Sequence, residues 1–337
     1  MTATTQPVTP APASFAGRAS SLLRPLYSSQ EGVLLLLLVG LIVVVGTANP
    51  RFLAQRNISD VLQNTSYTAI AAIGMSMVII SGNIDVSVGS LIGVLATISG
   101  QMAVSGYPIW LAWLVPLFFG GVAGAINGFF VAYLRIPAIV VTLGMMSILK
   151  GGLILWTGGA WIYDLPEEFH LAQQAPLGVP MPVYFMIGLT IVAALWMRYS
   201  PTGRAIYAVG GNREAARLSG INERAVLMQV FIIHGVLAGV ASVMFGTQFT
   251  TIQSTVPPGL EMVIITAAVV GGVSILGGTG TVIGSTLASI VIRAIASAMI
   301  FIDISPYWLQ AVQGVMILLT VLADILRRRR QIRLIRG

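Results

Sequence analysis

Few side chains in this chain are equipped for chemistry, and their types and spacing close off most of it. Lysine occurs once, at Lys150, and cysteine is absent from all 337 residues. A phosphate-cradling loop needs a second glycine and then a hydroxyl residue after the lysine. Here the chain reads Gly144-Met145-Met146-Ser147-Ile148-Leu149-Lys150-Gly151, lacking both, so it carries no such P-loop. Without cysteine there is no disulfide, zinc finger or thiol nucleophile. His234 has no partner at metal-ligand spacing, and no nucleophile–base constellation is present. The expectation is no catalytic residue, no metal site and no cofactor of its own; any ATP-Mg belongs to another subunit.

The remaining polar candidates sit in apolar surroundings. Asp85 lies in Gly82-Asn83-Ile84-Asp85-Val86-Ser87-Val88-Gly89. A bare carboxylate in lipid costs several kcal/mol, so it must be capped, paired or wetted. Capping the helix that follows is the economical reading, with Gly82, Asn83, Asp85 and Gly89 marking a helix break that shapes a path. Asn127, Thr142, His234 and Gln248 are expected to make interhelical hydrogen bonds, with Asn127 and Thr142 kept as pathway candidates. Lys150 and Arg293 are expected to snorkel toward an interface, or else to pair with a carboxylate such as Asp303.

The elements that position these groups are membrane helices. Apolar residues make up 56% of the chain and charged residues 9%, against about 25% charged in soluble domains. Apolar runs at 32–47, 66–81, 86–104, 109–134, 138–157, 183–199, 225–249, 262–276, 281–302 and 307–326 predict an all-α integral membrane protein of about ten spans. Gly46-Thr47-Ala48 resembles a cleavage site, but the spans that follow favour an uncleaved first helix. Residues 1–30 form a flexible tail, 31–326 the membrane domain and 327–337 a basic tail. With the N-terminus inside, 14 of the 18 basic residues fall on the cytoplasmic side, which predicts both termini there. The terminal run Arg327–Arg330 is then an anchor to anionic lipid, with no nucleic acid implied.

Two loops stand out. The outer one, 158–182, carries Asp164, Glu167 and Glu168, and is the natural surface for an extracytoplasmic partner; Glu261, opening a span on the same side, suits a helix dipole. The inner one, 200–222, is polar and holds Arg204, Arg213 and Arg217. Its second half predicts a short helix: Asn212 is the N-cap, Glu214 lies in the first turn, and Gly220 turns the chain at C′. The small pair Ala215-Ala216 permits close approach of a partner. The spacing shared by Gly82…Gly89-Ser90 and Gly277…Gly284-Ser285 suggests two repeated helix breaks, adding Gly277 and Gly278 as candidates.

The run Glu214-Ala215-Ala216-Arg217-Leu218-Ser219-Gly220 fits E-A-A-x-x-x-G, a pattern associated with permeases of ATP-binding-cassette importers. From about Leu34 to Leu326 the chain resembles the permease subunits of bacterial sugar importers of the ribose, rhamnose and autoinducer-2 kind. The resemblance rests on Asn83 to Ser90, on Arg135 to Gly144, on Gly203-Arg204 with Asn212 to Ile221, and on Val270 to Ser274 with Gly277 to Gly280. Leu155-Trp156-Thr157-Gly158-Gly159-Ala160-Trp161 with Leu165-Pro166 points to the autoinducer-2 and rhamnose branch. Many members read Gly-Gly-Ile-Asp where this chain has Gly82-Asn83-Ile84-Asp85; Asn83 also occurs in the autoinducer-2 branch. The resemblance implies an inner-membrane permease with a cytoplasmic ATP-binding subunit docked on Asn212 to Gly220. It also implies a second permease copy or paralogue, and a periplasmic sugar-binding protein facing Asp164, Glu167, Glu168 and Glu261. The alternatives are a branched-chain amino-acid permease of the same superfamily and an ion-coupled secondary transporter.

Overall fold

A computed structural model describes residues 29–336, with side chains through residue 326. The expected tail at 1–30 therefore lies almost wholly outside the described residues, as do the arginine side chains of 327–337.

All ten apolar runs form helices: α1 (Gln30–Ala48), α2 (Gln55–Ile80), α3 (Val88–Val104), α4 (Ile109–Ala132), α5 (Ala138–Thr157), α6 (Met181–Tyr199), α9 (Glu223–Gly246), α10 (Leu260–Val270), α11 (Val282–Phe301) and α12 (Trp308–Arg336). The polar stretch between α6 and α9 holds α7 (Pro201–Gly211) and α8 (Arg213–Leu218). Among the described residues, seven helices are long and apolar enough to cross a membrane. The expected span at 262–276 is corrected: α10 has 11 residues, about 16 Å, and the chain then turns away from helix. The all-helical expectation holds, with one short antiparallel pair in the loops, β1 (Trp161–Ile162) with β2 (Ile252–Gln253).

The bundle centres on α2, whose residues from Thr65 to Ile80 are all buried. Its tightest neighbour seam joins α4 to α9. Gly120 and Gly235 face each other so closely that a Cβ on either would overlap the other's carbonyl oxygen. Small residues let two backbones meet this way where lipid offers no hydrophobic drive for association.

The helix breaks have a shared cause. At the end of α2, Gly82 (φ +81°) donates its N–H to Ile79 O and Asn83 N–H reaches Val78 O. At the end of α10, Gly272 (φ +94°) bonds Val269 O and Val273 bonds Ala268 O. Each is a left-handed glycine stop that satisfies the last carbonyls. The glycine equivalent to Gly82 is thus Gly272, and the sequence echo with Gly277 was one of spacing only. Gly277 instead packs on Gly82 itself, with Gly210 of α7 beside both.

Arg293 departs from both readings offered for it. Its Nη2 donates to the Tyr67 hydroxyl at 2.7 Å and its guanidinium lies 5.5 Å from that ring's centroid, so it is held inward and not by Asp303.

Gly235→Leu must force the α4–α9 seam apart, an overpacking cost of at least about 1–3 kcal/mol. Gly144→Leu points into open space on α5. Thermal unfolding in detergent should show a lower midpoint for the first and little change for the second; equal midpoints would contradict the seam.

Candidate functional site

The helix expected at 212–220 is present with the predicted caps. Asn212 Oδ1 accepts from Ala215 N–H at 3.0 Å. Gly220 (φ +80°) donates to Arg217 O, and Ile221 N–H reaches Ala216 O. Ala216 is buried against the bundle, while Ala215 and Leu218 are exposed. Glu214 and Arg217 pair at 2.7 Å, and Arg213 pairs with Glu223 at 3.3 Å. Such exposed pairs contribute at most about 1 kcal/mol and leave the surface free to rearrange.

The first half of the same stretch is helical too, which the sequence reading passed over. Ser200 caps α7 by accepting from Gly203 N–H at 2.8 Å, with Pro201 at the first helical position. A Cβ on Gly210 would overlap the Ile80 carbonyl, so at this point the backbones of α7 and the α2 terminus meet directly. Gly278 N–H donates to that same Ile80 oxygen at 2.8 Å. Tyr207 on α7 donates its hydroxyl to Gly280 O at 2.9 Å, and burial pushes its pKa above the ordinary value. Gly82, Gly277 and Gly278 therefore meet α7 at one joint between the two helix breaks.

A cavity of about 750 Å³ opens beside this joint. Its wall includes Gly82 and Asn83 from the α2–α3 break, Arg135 from the α4–α5 turn, and Arg213, Glu214 and Arg217 from α8. Break residues and the capped helix, two separate sets in sequence, border one space.

Deeper in the bundle, Asp85, Asn127, Thr142 and His234 come together with Ser87, a residue the sequence did not single out. Ser87, the residue before α3, makes no side-chain cap bond of its own; Asp85, two residues earlier, takes a free N–H at this helix start, as the capping reading expects. Asp85 Oδ1 accepts from Ser87 N–H (2.8 Å) and from the Ser87 hydroxyl. Asn127 Nδ2 donates to Asp85 Oδ2 (3.3 Å) and Ser87 Oγ (3.2 Å). His234 Nε2 lies 3.7 Å from Asp85 Oδ2. Thr142 Oγ1 accepts from Val86 N–H at 3.1 Å. The interhelical bonds expected of Asn127 and Thr142 thus run from α4 and α5 to the backbone break, whereas the ring nitrogens of His234 and the amide nitrogen of Gln248 make no hydrogen bond among the described residues. Among the described residues no group of three potential metal ligands occurs.

Gly89 and Glu261 also meet. The segment from Ile252 to Glu261 descends along α3, facing Gly100, then Gly93, then Gly89. Glu261 lies at the start of α3, whereas Asp164, Glu167 and Glu168 lie in the loop past the end of α5. That loop is folded: Phe169 is fully buried, and Ala172 N–H donates to Thr247 Oγ1 at 3.3 Å.

A family described as "Branched-chain amino acid transport system / permease component" matches residues 57–321. The chain belongs to this permease family. Curated relatives agree. The autoinducer 2 import system permease protein LsrC of Salmonella typhi is 36% identical over 304 residues, covering 90% of this chain and 88% of the relative. Those of Enterobacter sp. (strain 638) and Escherichia coli (strain K12 / DH10B) are each 34% identical over 90% of this chain and 88% and 89% of their own lengths. No solved structure matches the chain. The chain is accordingly a permease, a transport component, and a multi-pass protein of the inner membrane.

Replacing Asp85 with Leu strands the Ser87 N–H and the Ser87 hydroxyl, each orphan costing about 1–3 kcal/mol, and leaves the Asn127 amide only its bond to Ser87 Oγ. Asp85→Leu should lower the thermal midpoint of the permease markedly, and Asp85→Asn less, since its carbonyl keeps an acceptor. A Leu variant as stable as the parent would remove the cluster's structural role.

Proposed function

We propose that this permease forms the translocation pathway of an ATP-binding-cassette importer for a sugar-like solute of the autoinducer-2, rhamnose or ribose type. The observation that carries the reading is the capped helix α8 bordering the same cavity as the α2–α3 break. A partner ATP-binding subunit, which holds the ATP-Mg, grips α8 through exposed Ala215, Leu218 and the rearrangeable charges of Arg213, Glu214 and Arg217. Its nucleotide-driven movement passes through α7 to the joint at Gly82, Gly277 and Gly278. A second copy or paralogue completes the pathway, and a periplasmic binding protein delivers the solute at the Asp164, Glu167 and Glu168 loop.

Topology fits this division. Ten helices cross or dip into the bilayer, α10 and the Ile252–Glu261 descent forming a re-entrant segment. With both termini cytoplasmic, α8 and the basic residues face the ATPase. Irregular backbone at depth is tolerated only where protein or a water-filled path satisfies it, and both breaks meet that condition. The family description also covers branched-chain amino acids, but similarity over 90% of the chain to autoinducer 2 permeases favours the sugar-like solute. An ion-coupled transporter would place coupling carboxylates in the path; Asp85 is instead occupied by Ser87 and Asn127.

Glu214→Lys reverses a charge on α8, and Gly220→Val strains its φ +80° turn. In vesicles containing the full importer, each should abolish ATP-dependent uptake while membrane insertion persists. Unchanged uptake in both would refute docking at α8.

A further inference from the structure

At the other end of α5 lies a second cavity, of about 520 Å³, that neither the helix joint nor the buried cluster uses. We propose that it is a solute-receiving site, binding a neutral polyhydroxylated ring on the permease itself after release from the binding protein. The proposal rests on the importer reading above and assigns a substrate contact within it.

The start of the 158–182 loop builds the site. Ile162 packs in a core with Phe169 and Ile252 and also reaches the cavity wall, and its neighbours Trp161 and Tyr163 stand outside that core against each other. Their rings stack at 6.3 Å between centroids and 22° between planes, and both remain about half exposed. Trp156, from the last turn of α5, adds a third aromatic wall. Flat, partly wetted rings of this kind present an apolar face to the C–H side of a sugar while leaving its hydroxyls free to bond elsewhere.

The hydroxyl partners are present. Ser254, next to β2, lines the cavity 1% exposed, and its Oγ has no hydrogen-bond partner among the described residues. A buried hydroxyl left bare in this way is costly, and a ligand hydroxyl would relieve it. Gln101 and Asp164 supply an amide and a carboxylate to the same space. The volume falls within the range of small-molecule sites, about 300–1,000 Å³, and such sites combine aromatic walls with few convergent polar groups. Among the described residues no lysine, arginine or histidine lines the cavity, so an anionic solute would meet Asp164 uncompensated. The chemistry selects neutral rings over phosphorylated ones. A lipid tail would leave Ser254 and Asp164 unmatched.

The test is saturation-transfer NMR on the full permease in nanodiscs, with D-ribose, L-rhamnose and ribose 5-phosphate as probes. The parent, Trp161→Leu and Ser254→Val are compared after their thermal midpoints have been matched. Transfer to ribose or rhamnose, none to the phosphate ester, and at least a tenfold loss of affinity in either variant are expected. Silence from both neutral sugars on the parent, equal binding of the phosphate ester, or undiminished binding in both variants would overturn the site. So would variants that lose capture of the sugar-loaded binding protein while free sugar still binds, which would make the face a protein-docking surface. ATP-driven uptake by the parent, measured separately in vesicles, keeps the importer reading distinct from each of these results.

Discussion

When a helix stops inside an apolar bundle, its free carbonyls and the next segment's N–H groups must find partners at once, because no water is there to take them. The permease meets this demand by making its two breaks serve each other: Gly278 N–H donates to Ile80 O, the last helical carbonyl of α2. That single backbone bond fixes how α2, the most buried helix, sits against the α10–α11 connection. Gly210 brings α7 onto the same carbonyl with no side chain between them. Any displacement of α7 therefore presses on both breaks together, and α7 leads directly into α8.

The second layer of control is the buried polar cluster. Asp85 gathers Ser87 from its own break, Asn127 from α4 and the imidazole of His234 from α9, while Thr142 of α5 holds the adjacent backbone. Three helices that the chain visits far apart thereby meet at one irregular turn, α4 and α5 through hydrogen bonds and α9 through the 3.7 Å approach of His234. The α2–α3 break is in consequence anchored on its deep side by side chains and on its shallow side by glycine backbone. Two discrete anchorings of one break are the kind of arrangement that packed proteins switch between, in preference to continuous bending.

Much of this was legible in the residues. Each of the ten apolar runs forms a helix, and the caps of α8 were readable because Asn212, Glu214 and Gly220 each have one cheap structural use. The candidate residues Asp85, Asn127 and Thr142 proved to be neighbours, although nothing in their spacing says so. What escaped has physical reasons. The length of α10 was overestimated because Val269-Val270-Gly271-Gly272-Val273 stays apolar through the stop, and hydropathy does not register a left-handed glycine. Helix α7 was missed because its glycines and polar residues mimic a loop, although Ser200-Pro201 is an N-terminal signal. His234 looked solitary because its partner lies 149 positions away in sequence. The β1–β2 pairing is too short to leave a periodic trace.

The account stands on α8 being the surface through which nucleotide energy enters. Because the chain has no cysteine, Ala215→Cys introduces a single thiol on an otherwise silent background. Its rate of modification by a membrane-impermeant maleimide can be followed in inside-out vesicles, with and without the ATP-binding subunit. The account predicts ready labelling of the permease alone, strong protection when the subunit is bound, and a change in that protection on adding ATP. Labelling only from the outer face, or at one rate whether or not the subunit is present, would contradict it.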